Sequence, residues 1–108
     1  MSDDREDRAP APFDWIDSVI HAPARLSIVI QLYVVEAMDA TFLVNRTGLT
    51  WGNLSTHLSK LEESGYVAVE KEFRGKKPCT MISLTEKGRE AFRRYRTAMQ
   101  ETLSSLSD

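Results

Sequence analysis

Two largely polar groups of residues in this sequence are suited to binding a phosphate-bearing partner. The first group lies in TWGNLSTHLSK and comprises Thr50, Trp51, Gly52, Asn53, Ser55, Thr56, His57 and Lys60. The second is RGKK, in which Arg74, Lys76 and Lys77 surround Gly75. Small hydroxyls and amides can reach base edges in a nucleic-acid groove, whereas lysine and arginine neutralise phosphates. Both groups therefore indicate binding chemistry.

Motifs for catalysis or metal binding are missing from the sequence. It has no phosphate-cradling glycine loop, H-E-x-x-H pair or nucleophile elbow. Its two histidines, His21 and His57, and its single cysteine, Cys79, lack the spacing of metal ligands. We therefore expect no catalytic residue, no metal and no cofactor. Cys79 is interpreted as a small packing residue, and redox sensing is the alternative.

Length and charge bound the class of protein. A chain of 108 residues can bury one modest core, so a partner chain would not be surprising. The acidic start MSDDREDRAPAPF and the lack of any 18-residue apolar run predict a cytoplasmic protein with no membrane partner. The net charge of −2 argues against nucleic acid, but residues 71–96 carry nine basic side chains against three acidic ones.

Periodicity and breakers divide the first part of the chain. We expect a disordered acidic tail over residues 1–12 and a single domain over 13–108. FDWIDSVI predicts a short amphipathic helix over 13–20, which Pro23 ends. PARLSIVIQLYVVEAM predicts a second helix from Pro23 to Met38, although IVIQLYVV has the composition of a strand.

The first polar group falls on a predicted helix-turn-helix. Residues 41–47 predict a short helix capped by Asp39 or Thr41 and closed by Gly48. Thr50 is expected to cap the next helix, which ends at Ser64 before a glycine stop at Gly65. A tight glycine-containing turn between two short helices is typical of this motif.

Leucines 54, 58 and 61 mark the buried face of that second helix, and the polar side chains occupy the remainder. Gly52, Thr56, Ser59 and Glu63 point directly outward, with Asn53, Ser55 and Lys60 on the flanks. Trp51 and His57 lie about 60° from the leucine direction. We therefore expect Trp51 to pack partly under the helix. For His57, packing against the turn and contact with phosphate or bases are both open.

The second polar group falls at the tip of a predicted β-hairpin. YVAVEKEF and CTMISL alternate as strands, and RGKKP supplies the turn. Thr85 then caps a last helix over 86–106. The expected fold is mainly α with a small β-hairpin.

This element order and two motifs resemble the winged-helix transcriptional regulators of the MarR/ArsR type. The motifs read GLTWGNLSTHLSKLEESGYV at 48–67 and LTEKGREAF at 84–92, and the resemblance covers residues 14–98. It implies a sequence-specific double-stranded DNA-binding regulator, with the helix at 51–63 in the major groove and the hairpin as a wing. It also implies a homodimer.

An apolar stripe along the last helix supports a dimer independently, because it continues to the end of a short domain with little left to cover it. The expected interface residues are Trp15, Ile16, Val19, Phe92, Tyr95, Met99, Leu103 and Leu106. The alternative is that the stripe packs on its own core. Arg89, Arg93 and Arg96 form a row interpreted as solvated, with occasional contact to DNA backbone.

Two functions follow as expectations. The first is a regulator that binds a palindromic site as a homodimer, and a repressor rather than an activator, since blocking a promoter needs only occupancy. The second is a winged-helix protein-interaction or assembly module that does not bind DNA, which the net charge of −2 keeps open. An effector ligand is not indicated by any residue.

Overall fold

Four helices and a three-stranded antiparallel sheet make up residues 14–106, the part of the chain that the computed structural model describes. The elements are α1 (Pro23–Tyr33), β1 (Met38–Asp39), α2 (Ala40–Thr47), α3 (Trp51–Glu63), β2 (Val67–Arg74), β3 (Lys77–Leu84) and α4 (Glu86–Ser104). The sheet order is β1-β3-β2. This architecture is the predicted winged helix-turn-helix, in which α2 and α3 form the helix-turn-helix and the β2–β3 hairpin is the wing. The predicted tail at 1–12 lies outside the described residues.

Side-chain caps fix the ends of α2 and α3 where the sequence predicted them. Asp39 Oδ1 accepts the backbone N–H of Thr41 at 2.7 Å, and Thr50 Oγ1 accepts that of Asn53 at 3.1 Å. Each such cap stabilises a helix by about 1 kcal/mol. Gly48 closes α2 with a φ of 74°, a backbone conformation that glycine adopts without steric cost.

The core lies between the helices and one face of the sheet. Its fully buried side chains come from four elements and the segment before α1: Ile20, Ile28, Val29, Leu32, Leu43, Leu54, Leu61 and Ile82. The most apolar helix, α1, contributes three of them, yet no helix within residues 14–106 is long and apolar enough to cross a membrane.

The sheet contains one strand more than the sequence predicted. Met38 pairs with Ile82 in β1, although it was assigned to the end of a helix that reaches only Tyr33. A distant side chain explains the early end of α1. Arg89 of α4 donates to the carbonyl oxygens of Tyr33 at 3.0 Å and Val35 at 2.8 Å, so it binds carbonyls at the end of the helix.

The helix predicted over 13–20 is wrong for the described residues 14–20, which form turns. Asp17 Oδ1 accepts the backbone N–H groups of Val19 at 2.9 Å and Ile20 at 3.2 Å, a local pattern that competes with a helix. The other carboxylate oxygen of Asp17 accepts the hydroxyl of Tyr66. Burial, together with this hydrogen bond, raises the pKa of Tyr66 to about 12.

Gly88 allows α4 to start directly against the turn that follows α3. The Tyr66 carbonyl accepts the backbone N–H of Thr85 at 3.0 Å, and the Thr85 hydroxyl donates to the Gly65 carbonyl at 2.6 Å. A Cβ on Gly88 would overlap the Tyr66 carbonyl oxygen and lie 3.0 Å from its carbonyl carbon. Any larger residue at position 88 would therefore separate α4 from the turn.

Replacing Gly88 by alanine is expected to lower the free energy of unfolding by about 1–3 kcal/mol, because the new methyl group overpacks this contact. Gly52→Ala is the matched control. No atom lies within 4 Å of a Cβ on Gly52, so alanine should raise the stability by up to about 1 kcal/mol through helix propensity. Urea unfolding measures both; equal stability of Gly88→Ala and the wild type would contradict the packing role.

Candidate nucleic-acid interface

Burial of the leucine face of α3 turns its polar face to solvent. Leu54, Leu58 and Leu61 are at most 9% exposed. The side chains predicted to point outward or to flank the outward face are all exposed: Gly52, Asn53, Ser55, Thr56, Ser59, Lys60 and Glu63. A continuous polar surface thus runs along one side of a helix whose other side is fixed in the core.

The hydroxyl groups on this surface differ in what they can do. Thr56 Oγ1 donates to the Gly52 carbonyl at 3.0 Å, so its proton is committed to the helix and its oxygen can only accept. Ser55 makes no side-chain hydrogen bond to any residue in the described range, and its hydroxyl can both donate and accept. Neighbouring positions therefore offer different hydrogen-bonding groups to a base edge.

Gly52 is at the first turn of α3, and nothing in the fold requires a glycine there. It lies in a helix, where glycine costs roughly 1 kcal/mol relative to alanine, and it has open space in the direction of a Cβ. Gly88 shows the opposite situation, in which the protein's own backbone excludes a side chain. The space beside Gly52 permits close approach of the helix backbone to a partner outside the chain.

His57 is half-buried and contacts α1. Arg25 Nη1 lies 3.3 Å from His57 Nδ1, and Arg25 Nε donates to the Val19 carbonyl at 2.6 Å. Because arginine can only donate, Nδ1 of a neutral His57 accepts the hydrogen bond from Arg25. The ring proton of His57 is therefore assigned to Nε2. His57 thus contacts α1 through Arg25, a residue that the sequence gave no reason to select, and a contact of His57 with phosphate or bases stays a prediction.

Trp51 is the first residue of α3, and 56% of its surface is exposed. Trp51 lines a surface depression with Lys71, Pro78 and Thr80 of the hairpin. Trp51 therefore joins the polar face of α3 to the base of the hairpin. The expected packing of Trp51 partly under the helix stays a prediction.

The turn at the wing tip has fewer residues, and the two strands have more, than the sequence predicted. Arg74 pairs with Lys77, so only Gly75 and Lys76 form the turn, and Pro78 belongs to β3. Gly75 has a φ of 65° whereas Lys76 has none of the positive φ values, the combination found in type II′ hairpin turns. All four residues predicted for the wing are exposed.

The basic residues of 71–96 do not form a single surface. Those at the wing tip are free of ion pairs in the described structure, but three arginines of α4, Arg89, Arg93 and Arg96, gather around Tyr33 at the end of α1. The guanidinium carbons of Arg89 and Arg96 each lie 5.6 Å from the centre of the Tyr33 ring. A hydrogen bond with Tyr33 raises the pKa of Arg93. The row of arginines is thus attached to α1, which the sequence did not predict.

The apolar stripe of α4 changes character along its length. Phe92 and Tyr95 are buried in the chain's own core, where Tyr95 contacts His21 Nδ1 at 2.6 Å. Trp15, Ile16, Val19 and Met99 pack against that core while remaining partly exposed. Leu103 and Leu106, by contrast, are 58% and 68% exposed. The uncovered part of the stripe is its C-terminal end.

No three histidine, cysteine or acidic side chains in the range 14–106 are grouped to hold a metal ion. Cys79 is a half-buried free thiol on β3, opposite Glu72.

Comparison with known proteins adds a family and a fold. The family model described as a winged helix DNA-binding domain matches residues 24–103. An uncharacterized protein of Methanocaldococcus jannaschii is 38% identical over 77 residues, which cover 71% of this chain and 84% of that protein.

Solved structures share the architecture. A transcriptional regulator homologue from Pyrococcus horikoshii OT3 superposes with a TM-score of 0.80 at 26% identity, covering 85% of this chain and 91% of its own. A proposed MarR-family regulator from Enterococcus faecalis V583 has a TM-score of 0.71 at 22% identity, covering 81% and 78%.

Proposed function

The chain belongs to the winged helix DNA-binding domain family, and from this premise we propose that it is a transcriptional regulator that binds a specific double-stranded DNA sequence. The observation that carries the proposal is the exposed polar face of α3, which has open space at Gly52 and meets the base of the hairpin where Trp51 and Pro78 line one depression. The exposed tip of that hairpin is basic. Similarity to a transcriptional regulator homologue supports the regulatory role.

The two parts of the surface have different tasks in this proposal. The α3 face lies in the major groove, where Asn53, Ser55 and Thr56 read base edges. At the wing, Arg74, Lys76 and Lys77 neutralise phosphates and supply affinity that does not depend on sequence. Because Gly52 has no side chain, the first turn of α3 can approach the duplex closely.

We further propose that the protein acts as a homodimer on a palindromic site. Leu103 and Leu106 are large apolar side chains exposed at the end of α4, and a second copy would cover them. A two-fold axis would place two α3 helices about one DNA turn, roughly 34 Å, apart. Occupancy of such a site beside a promoter is sufficient for repression, and a regulator of this kind works in the cytoplasm.

A protein-interaction module without DNA binding is the second candidate. One observation favours it: Glu70 and Glu72 are exposed on the wing strand, and Arg89 and Arg96 of α4 lie at Tyr33 rather than at the wing. These acidic side chains would repel phosphate. Direct measurement of duplex binding separates the two candidates.

Changing Lys76 and Lys77 together to alanine should weaken binding to all duplexes and reduce the slope of log affinity against log salt by about 2, because two phosphate contacts are lost. The matched control, Lys87→Ala with Arg94→Ala, removes the same charge from α4. Fluorescence anisotropy over a salt series measures both. A slope that falls equally in the two double variants would contradict the wing assignment.

Gly52→Ala should weaken specific DNA binding by roughly tenfold while leaving the protein at least as stable as the wild type, since the methyl group intrudes only on an external partner. Anisotropy titration of the same duplex, beside urea unfolding, measures both quantities. Unchanged affinity would show that α3 does not approach DNA at this turn.

Leu103→Glu should convert a dimer into a monomer of 12.3 kDa, because it places a charge in the proposed apolar contact. The control is Thr97→Glu, which adds the same charge to an exposed position on another side of α4. Light scattering gives the mass. A wild-type mass of one chain, or a dimer that survives Leu103→Glu, would refute this interface.

A further inference from the structure

Among the aromatic side chains of residues 14–106, Phe73 is the most exposed, with 73% of its surface accessible, and it lies one residue before Arg74 at the wing tip. Its position in β2 explains why it is uncovered. Residues 67, 69, 71 and 73 share one face of the strand; Val67 is buried and Val69 half-buried, but the hairpin then leaves the domain. Phe73 therefore continues the core-facing side of the wing into solvent.

Phe73 is part of a longer apolar surface. Its cross-strand partner is Pro78, and Pro78 lines the depression shared by Trp51 and Lys71. Directly opposed side chains in antiparallel strands lie about 5 Å apart, so the phenyl and pyrrolidine rings are adjacent. Trp51, Pro78 and Phe73 thus form an apolar strip from the first turn of α3 to the wing tip.

The wing tip consequently has two chemically different faces. The apolar strip occupies one, and the cross-strand pair Arg74 and Lys77 occupies the other, with Lys76 in the turn between them. The walls of a DNA minor groove are deoxyribose rings and its rims are phosphates. Proteins that enter this groove combine arginine or lysine with apolar wedges such as phenylalanine and proline. The basic side chains beside the apolar strip, Arg74, Lys76 and Lys77, complement the phosphates of DNA, so DNA is the favoured partner for the strip.

We propose that Phe73 contacts DNA directly and is a specificity-determining residue of the wing. The apolar strip packs along the sugars of the strand that separates the groove occupied by α3 from the minor groove. Phe73 then enters the minor groove and partly unstacks a base step. This inference rests on the proposed function. It predicts a preference for flexible pyrimidine–purine steps beneath the wing, at positions that α3 does not reach.

The test compares Phe73→Ala with Phe73→Leu, which keeps an apolar wedge, on a duplex selected by the wild-type protein from a random pool. Phe73→Ala should bind roughly tenfold more weakly with an unchanged salt slope, because an apolar contact releases no counterions. Phe73→Leu should retain most of the affinity. With 2-aminopurine at successive flanking positions, the wild type should raise the fluorescence at one step and Phe73→Ala should not.

Each contrary result has a distinct meaning. Wild-type affinity for Phe73→Ala, or a loss of affinity with a reduced salt slope, would overturn the role of Phe73 and leave the proposed function standing. A lower mass for Phe73→Ala by light scattering would assign the apolar strip to a second copy of the chain and also overturn it. Failure of the wild type to bind any duplex would overturn the proposed function itself.

Discussion

Burial of Leu54, Leu58 and Leu61 is the constraint on which the exposed surface depends. These side chains anchor α3 in the core, so every residue on the opposite side of the helix has a fixed direction relative to the sheet. The wing is formed by β2 and β3 of the same sheet. These strands are held in that core by the buried side chains of Val67 and Ile82. One packing interaction therefore sets the spacing between the two parts of the candidate interface.

Elements governed by neighbours in sequence could be predicted, and those governed by distant contacts could not. Thr50, Gly48 and Thr85 act within a few residues of their own positions, and the helix boundaries they mark are confirmed. The end of α1 depends instead on Arg89, which lies more than 50 residues away in sequence. Strand β1 likewise exists only because β3 offers an edge to Met38.

The candidate site shows the same division. Helical periodicity was enough to select the outward residues of α3, because one buried face determines the other. It could not show that Arg25 holds His57 or that the arginines of α4 surround Tyr33, since these contacts join different helices. Gly52 and Gly88 both lie in the first turn of a helix, so the sequence gives no reason to treat them differently. The structure shows that the chain's own backbone excludes a side chain at Gly88, whereas the space beside Gly52 is open to a partner.

Sequence-specific DNA binding by a two-fold dimer is tested most directly by selecting duplexes from a random pool with the purified protein at moderate salt. Sequencing of the retained duplexes should reveal an inverted repeat whose half-sites are centred about 10 base pairs apart. Recovery of duplexes with no common sequence, which the protein no longer binds when the salt concentration is raised, would contradict sequence-specific binding.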